Sequence, residues 1–118
     1  MQAENTTPTD ALSVTNLPTT VIKRDGRQGC FDSAKITSAI QRAGLASGEF
    51  GEEEARLLTA QVLKVLRHRY TATAPEIEQI QDVVEQVLIS SNHHRTARAY
   101  ILYREQHGKL RRDSKSLL

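Results

Sequence analysis

From Asp32 onward, apolar residues recur every three or four positions through four successive segments, and no other feature constrains the fold as tightly. Ile36, Ala39, Ile40 and Ala43 form the first stripe, with Asp32 suited to the N-cap before it and Gly44 to the stop after it. Gly48 and Gly51 mark a loop. Glu52, Glu53 and Glu54 then fall in the first turn of a second helix, where negative charge suits the helix dipole. Ala55, Leu58, Val62, Val65 and Leu66 give that helix one apolar face, ending near His68. Pro75 suits the first turn of a third helix, whose buried stripe is Ile77, Ile80, Val84, Val87 and Leu88 and whose break is Ser90-Ser91-Asn92. A fourth helix is expected from about His93 to Gly108 or beyond. Ala97, Tyr100, Ile101 and Tyr103 cover more than one of its faces, which predicts a central position.

Ahead of Asp32 the pattern changes. Two short extended runs, Thr20–Arg24 and Gln28–Phe31, flank Asp25-Gly26. Such a pair between β-capable segments signals a hairpin, because glycine accepts the positive φ that tight hairpin turns need. A lone hairpin is marginal in water, so this one must lie on the helices. Tyr70–Thr73, short and β-branched, is expected to add a third strand. The fold class is therefore α+β, mainly helical: a four-helix bundle capped by a small three-stranded β-sheet.

With 118 residues the chain makes one domain. It has no Trp, two Phe and three Tyr, so Leu, Ile, Val and Ala must build the core. Residues 1–19, rich in Thr, Asn, Pro and Ser, read as a flexible leader, 20–108 as the folded domain, and 109–118 as the start of a linker. The single Cys30 excludes an internal disulfide and a multi-cysteine zinc site, and fits a reducing compartment. No apolar run is long enough to span a membrane and no secretory signal is evident, which predicts a cytoplasmic protein with no membrane partner.

The chemistry concentrates in Val21-Ile22-Lys23-Arg24-Asp25-Gly26, followed by Phe31-Asp32 and Lys35-Ile36. Lys23 and Arg24 lie beside a glycine turn, and Lys35 lies in the first turn of the next helix, whose start carries free N–H groups and a positive dipole end. Three cations around a helix N-terminus can cradle a polyphosphate, lysine as a point charge and arginine as a two-pronged donor. Against this, successive strand residues point to opposite faces, so Lys23 and Arg24 share a pocket only if the strand twists or bulges.

That segment resembles the opening of an ATP-cone domain, V-x-K-R-D-G, then F-[DN], then K-I. A second block agrees: Ile80-Gln81-Asp82-Val83-Val84-Glu85 is similar to the family's third helix, and Thr96-Ala97-Arg98-Ala99-Tyr100 with Tyr103-Arg104 to its last. The resemblance covers about residues 20–107. It implies ATP or dATP bound between cap and bundle, with or without Mg²⁺. Val21 would touch the base and Ile36 lie near the adenine; Lys23, Arg24 and Lys35 would hold phosphates; Asp32 would lie near the sugar. Ile77 and Gln81 would line the pocket, and Arg104 and His107 would reach the phosphates. No residue is expected to be catalytic or to bind metal.

The implied role is allosteric: ATP leaves an attached ribonucleotide reductase active, and dATP switches it off through a change of conformation or oligomer. The domain itself is then no enzyme. Its partners are adenine nucleotides, a catalytic domain of the same chain and a second copy of the domain. The stretch Lys109-Leu110-Arg111-Arg112 onward is similar to the junction that follows the ATP-cone in anaerobic ribonucleoside-triphosphate reductases. Two rivals carry less. Transcriptional repressors of reductase genes also hold an ATP-cone, but after a four-cysteine zinc ribbon, and residues 1–20 contain no cysteine. A helical nucleic-acid-binding module using the basic tail would need its cations gathered on one long face, which the sequence does not show.

Three other features have plain explanations. Adjacent His93 and His94 would point about 100° apart on a helix, so they read as a helix start, not a metal site. Cys30 reads as a strand residue, and Glu52–Glu54 as a solvated first turn.

Overall fold

The computed structural model describes the backbone of residues 17–117 and the side chains of residues 17–108; residues 1–16 of the expected leader and the side chains of the basic tail lie outside it. Strands β1 (Thr20–Ile22) and β2 (Gln28–Cys30) precede four helices: α1 (Ser33–Ser47), α2 (Glu52–Arg69), α3 (Ile77–Ser90) and α4 (His94–Leu117). Helix α1 packs on α2 and α4, and α3 packs on α2 and α4, so the bundle closes as a ring. Helix α4 is one member of that ring and not its centre: Thr96, Ala97 and Tyr100 enter the core while Leu102 is 54% exposed. Its backbone stays helical through most of the stretch expected to be a linker.

The core is aliphatic, as a chain poor in aromatics requires. Ile40, Leu58, Val62, Leu66, Val83, Val84 and Leu88 are fully buried. Burying each such side chain contributes about 1.5–3 kcal/mol relative to leaving it in water. Val21 of β1 joins the same cluster beside Ile36 and Ile80, which anchors the cap to the bundle.

The first helix runs a full turn past its expected stop. Gly44 is buried within α1, and Gly48, at φ 78°, is the left-handed cap. Gly44 is there for space: a Cβ at this position would drive into the ring of Phe50, which folds back from the α1–α2 loop.

The sheet has two strands, not three. β1 and β2 pair antiparallel with Val21 opposite Gly29. The segment expected as a third strand bends: Tyr70 caps α2 by donating its N–H to the Leu66 carbonyl, and residues 71–73 form no ladder. Instead the Ile22 N–H donates to the Pro75 carbonyl at 2.9 Å, giving one parallel bridge between Ile22 and Glu76. Pairing stops there because Pro75 has no N–H to return and α3 begins at Ile77.

Candidate functional site

Between the hairpin and the bundle lies an open cleft of about 1060 Å³, and three elements build its walls. The hairpin contributes Val21 to Arg27 and Cys30, the start of α1 contributes Asp32, Lys35 and Ile36, and the start of α3 contributes Glu76, Ile77, Glu78 and Ile80. Two helix N-termini thus open onto one space, and both favour a negatively charged occupant.

The turn solves the strand-alternation problem. β1 ends at Ile22, so Lys23 and Arg24 belong to the loop and no longer alternate. Gly26, at φ 88°, donates to the Lys23 carbonyl, and Lys23 N–H donates to the Arg27 carbonyl. The resulting three-residue loop is longer than the two-residue turn an Asp-Gly pair suggests. Asp25 holds it by accepting from the Arg27 backbone N–H at 3.0 Å and from Arg27 Nε at 2.8 Å. The Lys23 stem lies across Gly29, where a Cβ would meet Lys23 Cε at 2.7 Å.

The lining is electrically balanced, and its pairing distinguishes the cations. Arg24 Nη1 donates to Glu78 Oε2 at 2.6 Å, and Arg27 is held by Asp25. Asp32 caps α1, accepting from the Ala34 N–H at 3.0 Å. Gln79 accepts from the Glu76 N–H at 2.9 Å, closing a capping box on α3. Among the described residues, Lys23 and Lys35 have no carboxylate partner. Both line the cleft, together with the apolar Val21, Ile36, Ile77 and Ile80.

Of the ten residues expected at a ligand site, Val21, Lys23, Arg24, Asp32, Lys35, Ile36 and Ile77 line this cleft. The other three do not. Arg104 bridges α4 to α3, donating to Glu85, to Asp82 at 2.9 Å and to the Glu78 carbonyl at 3.2 Å. Burial works against its charge, but the hydrogen bonds to Glu85 and Asp82 outweigh that, so its guanidinium holds its proton more tightly than usual. His107 packs on Tyr103 with ring centroids 4.1 Å apart. Gln81 Oε1 is buried without a hydrogen-bond partner among the described residues.

Sequence reasoning overlooked Glu78 and Arg27 and used Phe31 only as part of the motif; all three line the cleft. The available signal for Glu78 was its place in the first turn of α3, directly after Ile77.

The far end of the bundle is tied by Glu49. Its carboxylate accepts from the Thr96 hydroxyl at 2.7 Å and from the backbone N–H groups of Thr96 and Arg95. Those bonds, led by the Thr96 hydroxyl, hold its pKa below the ordinary value. His93 contacts Glu54 at 3.2 Å and packs edge-on against Phe50. Among the described residues no cluster of three His, Cys, Asp or Glu side chains gathers to hold a metal ion. No described helix is long and apolar enough to cross a membrane.

Comparison with known proteins agrees with this architecture. The model of the ATP cone domain matches residues 19–109. The chain is 36% identical over 100 residues to the ribonucleoside-diphosphate reductase subunit alpha of Chlamydia muridarum, covering 77% of this chain and 10% of that one. It is 37% identical over 98 residues to the vitamin B12-dependent ribonucleoside-diphosphate reductase of Thermoplasma acidophilum, covering 79% and 12%. It is 35% identical over 98 residues to the anaerobic ribonucleoside-triphosphate reductase of Haemophilus influenzae, covering 83% and 14%. The match thus spans only about a tenth to a seventh of these relatives' length and does not single out one reductase type. With the matched region running from the cap into the fourth helix, the chain belongs to the ATP-cone family.

Proposed function

We propose that the cleft binds the adenine nucleotides ATP and dATP, and that its occupancy regulates a ribonucleotide reductase catalytic region carried on the same polypeptide. One observation carries the reading: Lys23 and Lys35, neither paired with a carboxylate among the described residues, line one cleft with the apolar Val21, Ile36 and Ile77. The apolar side chains take the purine, and the lysines take the triphosphate with Arg24. Charge-assisted hydrogen bonds from such cations contribute about 1.5–3 kcal/mol each. Mg²⁺ belongs to this reading as the triphosphate's own counter-ion. In the regulatory scheme ATP leaves the enzyme active and dATP inhibits it, with a change of conformation or oligomer as the readout and the cytoplasm as its setting. The two ligands differ by one hydroxyl, so control requires that hydroxyl to change the grip on sugar and phosphates differently in two states. The homologues span diphosphate, cobalamin-dependent and anaerobic triphosphate reductases, so the parent's type stays within that group.

Calorimetric titration with ATP, dATP, GTP and duplex DNA tests this. Adenine nucleotides should bind at micromolar concentration, and DNA should give no heat. Lys23→Ala and Lys35→Ala should each weaken ATP about tenfold, the loss of one charge-assisted contact, with an unchanged melting temperature. Unchanged affinity in both variants refutes the phosphate site. A full-length parent that keeps one mass in ATP and in dATP refutes the oligomer switch.

A further inference from the structure

We infer that Glu78 is a built-in competitor for the phosphates: it holds Arg24 in their place, and a nucleotide must displace it to gain the guanidinium. The inference rests on the nucleotide-binding reading above and adds to it a residue that sets affinity.

The pair is made through one edge only. Arg24 Nη1 donates to Glu78 Oε2, while Arg24 Nε is buried with no hydrogen-bond partner among the described residues. An arginine that meets a carboxylate or phosphate fully does so with two parallel donors, so this guanidinium is under-used. A phosphate in the cleft competes for the Nη1 edge that Glu78 now holds.

The partner is also easy to dislodge. The Glu78 side chain is 57% exposed and that of Arg24 only 20%. The arginine is thus fixed by packing, and the glutamate can swing into water. Its backbone need not follow, because the Glu78 carbonyl accepts from Arg104 on α4. Both side chains line the same cleft as Lys23 and Lys35, so an anion held by those lysines comes up against the Arg24–Glu78 pair.

Arg24 also touches the end of the bundle that leads toward the rest of α4. Its guanidinium lies over Gly108, where a Cβ would come within 3.2 Å of Nη2 and 3.4 Å of Cζ. Exchanging a carboxylate on α3 for a phosphate in the cleft therefore acts on a group that already presses on α4.

Glu78→Gln removes the competing charge and keeps the shape. Titrated with ATP and with inorganic tripolyphosphate, this variant should bind both about three- to fivefold more tightly than the wild type, the scale of a partly exposed ion pair. In an Arg24→Ala background the same change should give no tightening, since no guanidinium remains to release. Glu53→Gln, which removes a charge from the first turn of α2, away from the cleft lining, should leave affinity within twofold. Equal or weaker binding by Glu78→Gln overturns the inference, and so does equal tightening with or without Arg24 or by Glu53→Gln. If wild-type protein binds ATP while Glu78→Gln gains nothing, only the competitor role fails; if wild-type protein binds no adenine nucleotide, the functional reading falls first and takes this one with it.

Discussion

A methyl group at position 44 has nowhere to go. Gly44 is buried inside α1, and a Cβ there would enter the Phe50 ring. Alanine is the better helix former by about 1 kcal/mol, so an exposed glycine here would be stabilised by the change. Overpacking instead costs about 1–3 kcal/mol. Gly44→Ala should therefore lower the melting temperature by several degrees, and Gly44→Ala with Phe50→Leu should recover part of the loss. A rise in melting temperature for the single variant would show that the ring moves freely aside. The same residue shows where sequence reasoning stops. Glycine near the end of an apolar stripe reads as a helix stop, and only the position of Phe50 reveals it as a packing site. Lys23, Lys35, Val21 and Ile36 were legible because they belong to one continuous segment. Arg104 was not, because the acids that claim it, Asp82 and Glu85, lie on another helix and no spacing rule joins them.

At the scale of elements, the helices were legible from their period and the edges of the sheet were not. Ile22 pairs with a residue 54 positions later, and nothing local in Tyr70–Thr73 says that the chain bends before pairing begins. The start of α4 makes a similar point. Glu49, from the loop after α1, accepts from the Arg95 and Thr96 N–H groups of its first turn and from the Thr96 hydroxyl. A carboxylate there satisfies orphan N–H groups and sits at the positive end of the helix dipole. Its pKa is lowered in the folded state, chiefly by the Thr96 hydroxyl, so the charged form is the one that folding favours. The stabilisation is then present above the ordinary glutamate value of 4.5 and is lost as pH falls through the lower folded value. Glu49→Gln keeps an acceptor and removes the charge. Its melting temperature should lie below wild type at pH 7, and the gap should close as the pH is taken well under 4.5. A gap that persists unchanged in acid would mean that the glutamine fails for shape, not for charge.

Over the whole molecule the two halves are held very differently. The bundle closes on itself through four helix–helix interfaces and a continuous aliphatic core. The hairpin has two strands of three residues each, Val21 as its one fully engaged core side chain, a single bridge to Glu76 and an ion pair to Glu78. Regions with few buried apolar contacts open at lower free energy than the core they rest on. Hydrogen exchange in the ligand-free protein should therefore be fast at Val21, Lys23 and Gly29 and slow at Val62, Val84 and Leu88. A nucleotide gripped by Lys23, Arg24 and Lys35 joins the hairpin to α1 and α3, so it must raise the cost of opening the cap. At a hundred times its dissociation constant a ligand stabilises the bound state by about 2.7 kcal/mol, close to a hundredfold slowing for amides that exchange through cap opening. Amides that exchange only by global unfolding slow by no more than that same linkage. The distinguishing result is a pattern: large protection at residues 20–30 where little existed before, with the order of protection within the core unchanged. Protection confined to the core, with the hairpin as open as before, would place the ligand elsewhere on the molecule and leave the cleft without its role.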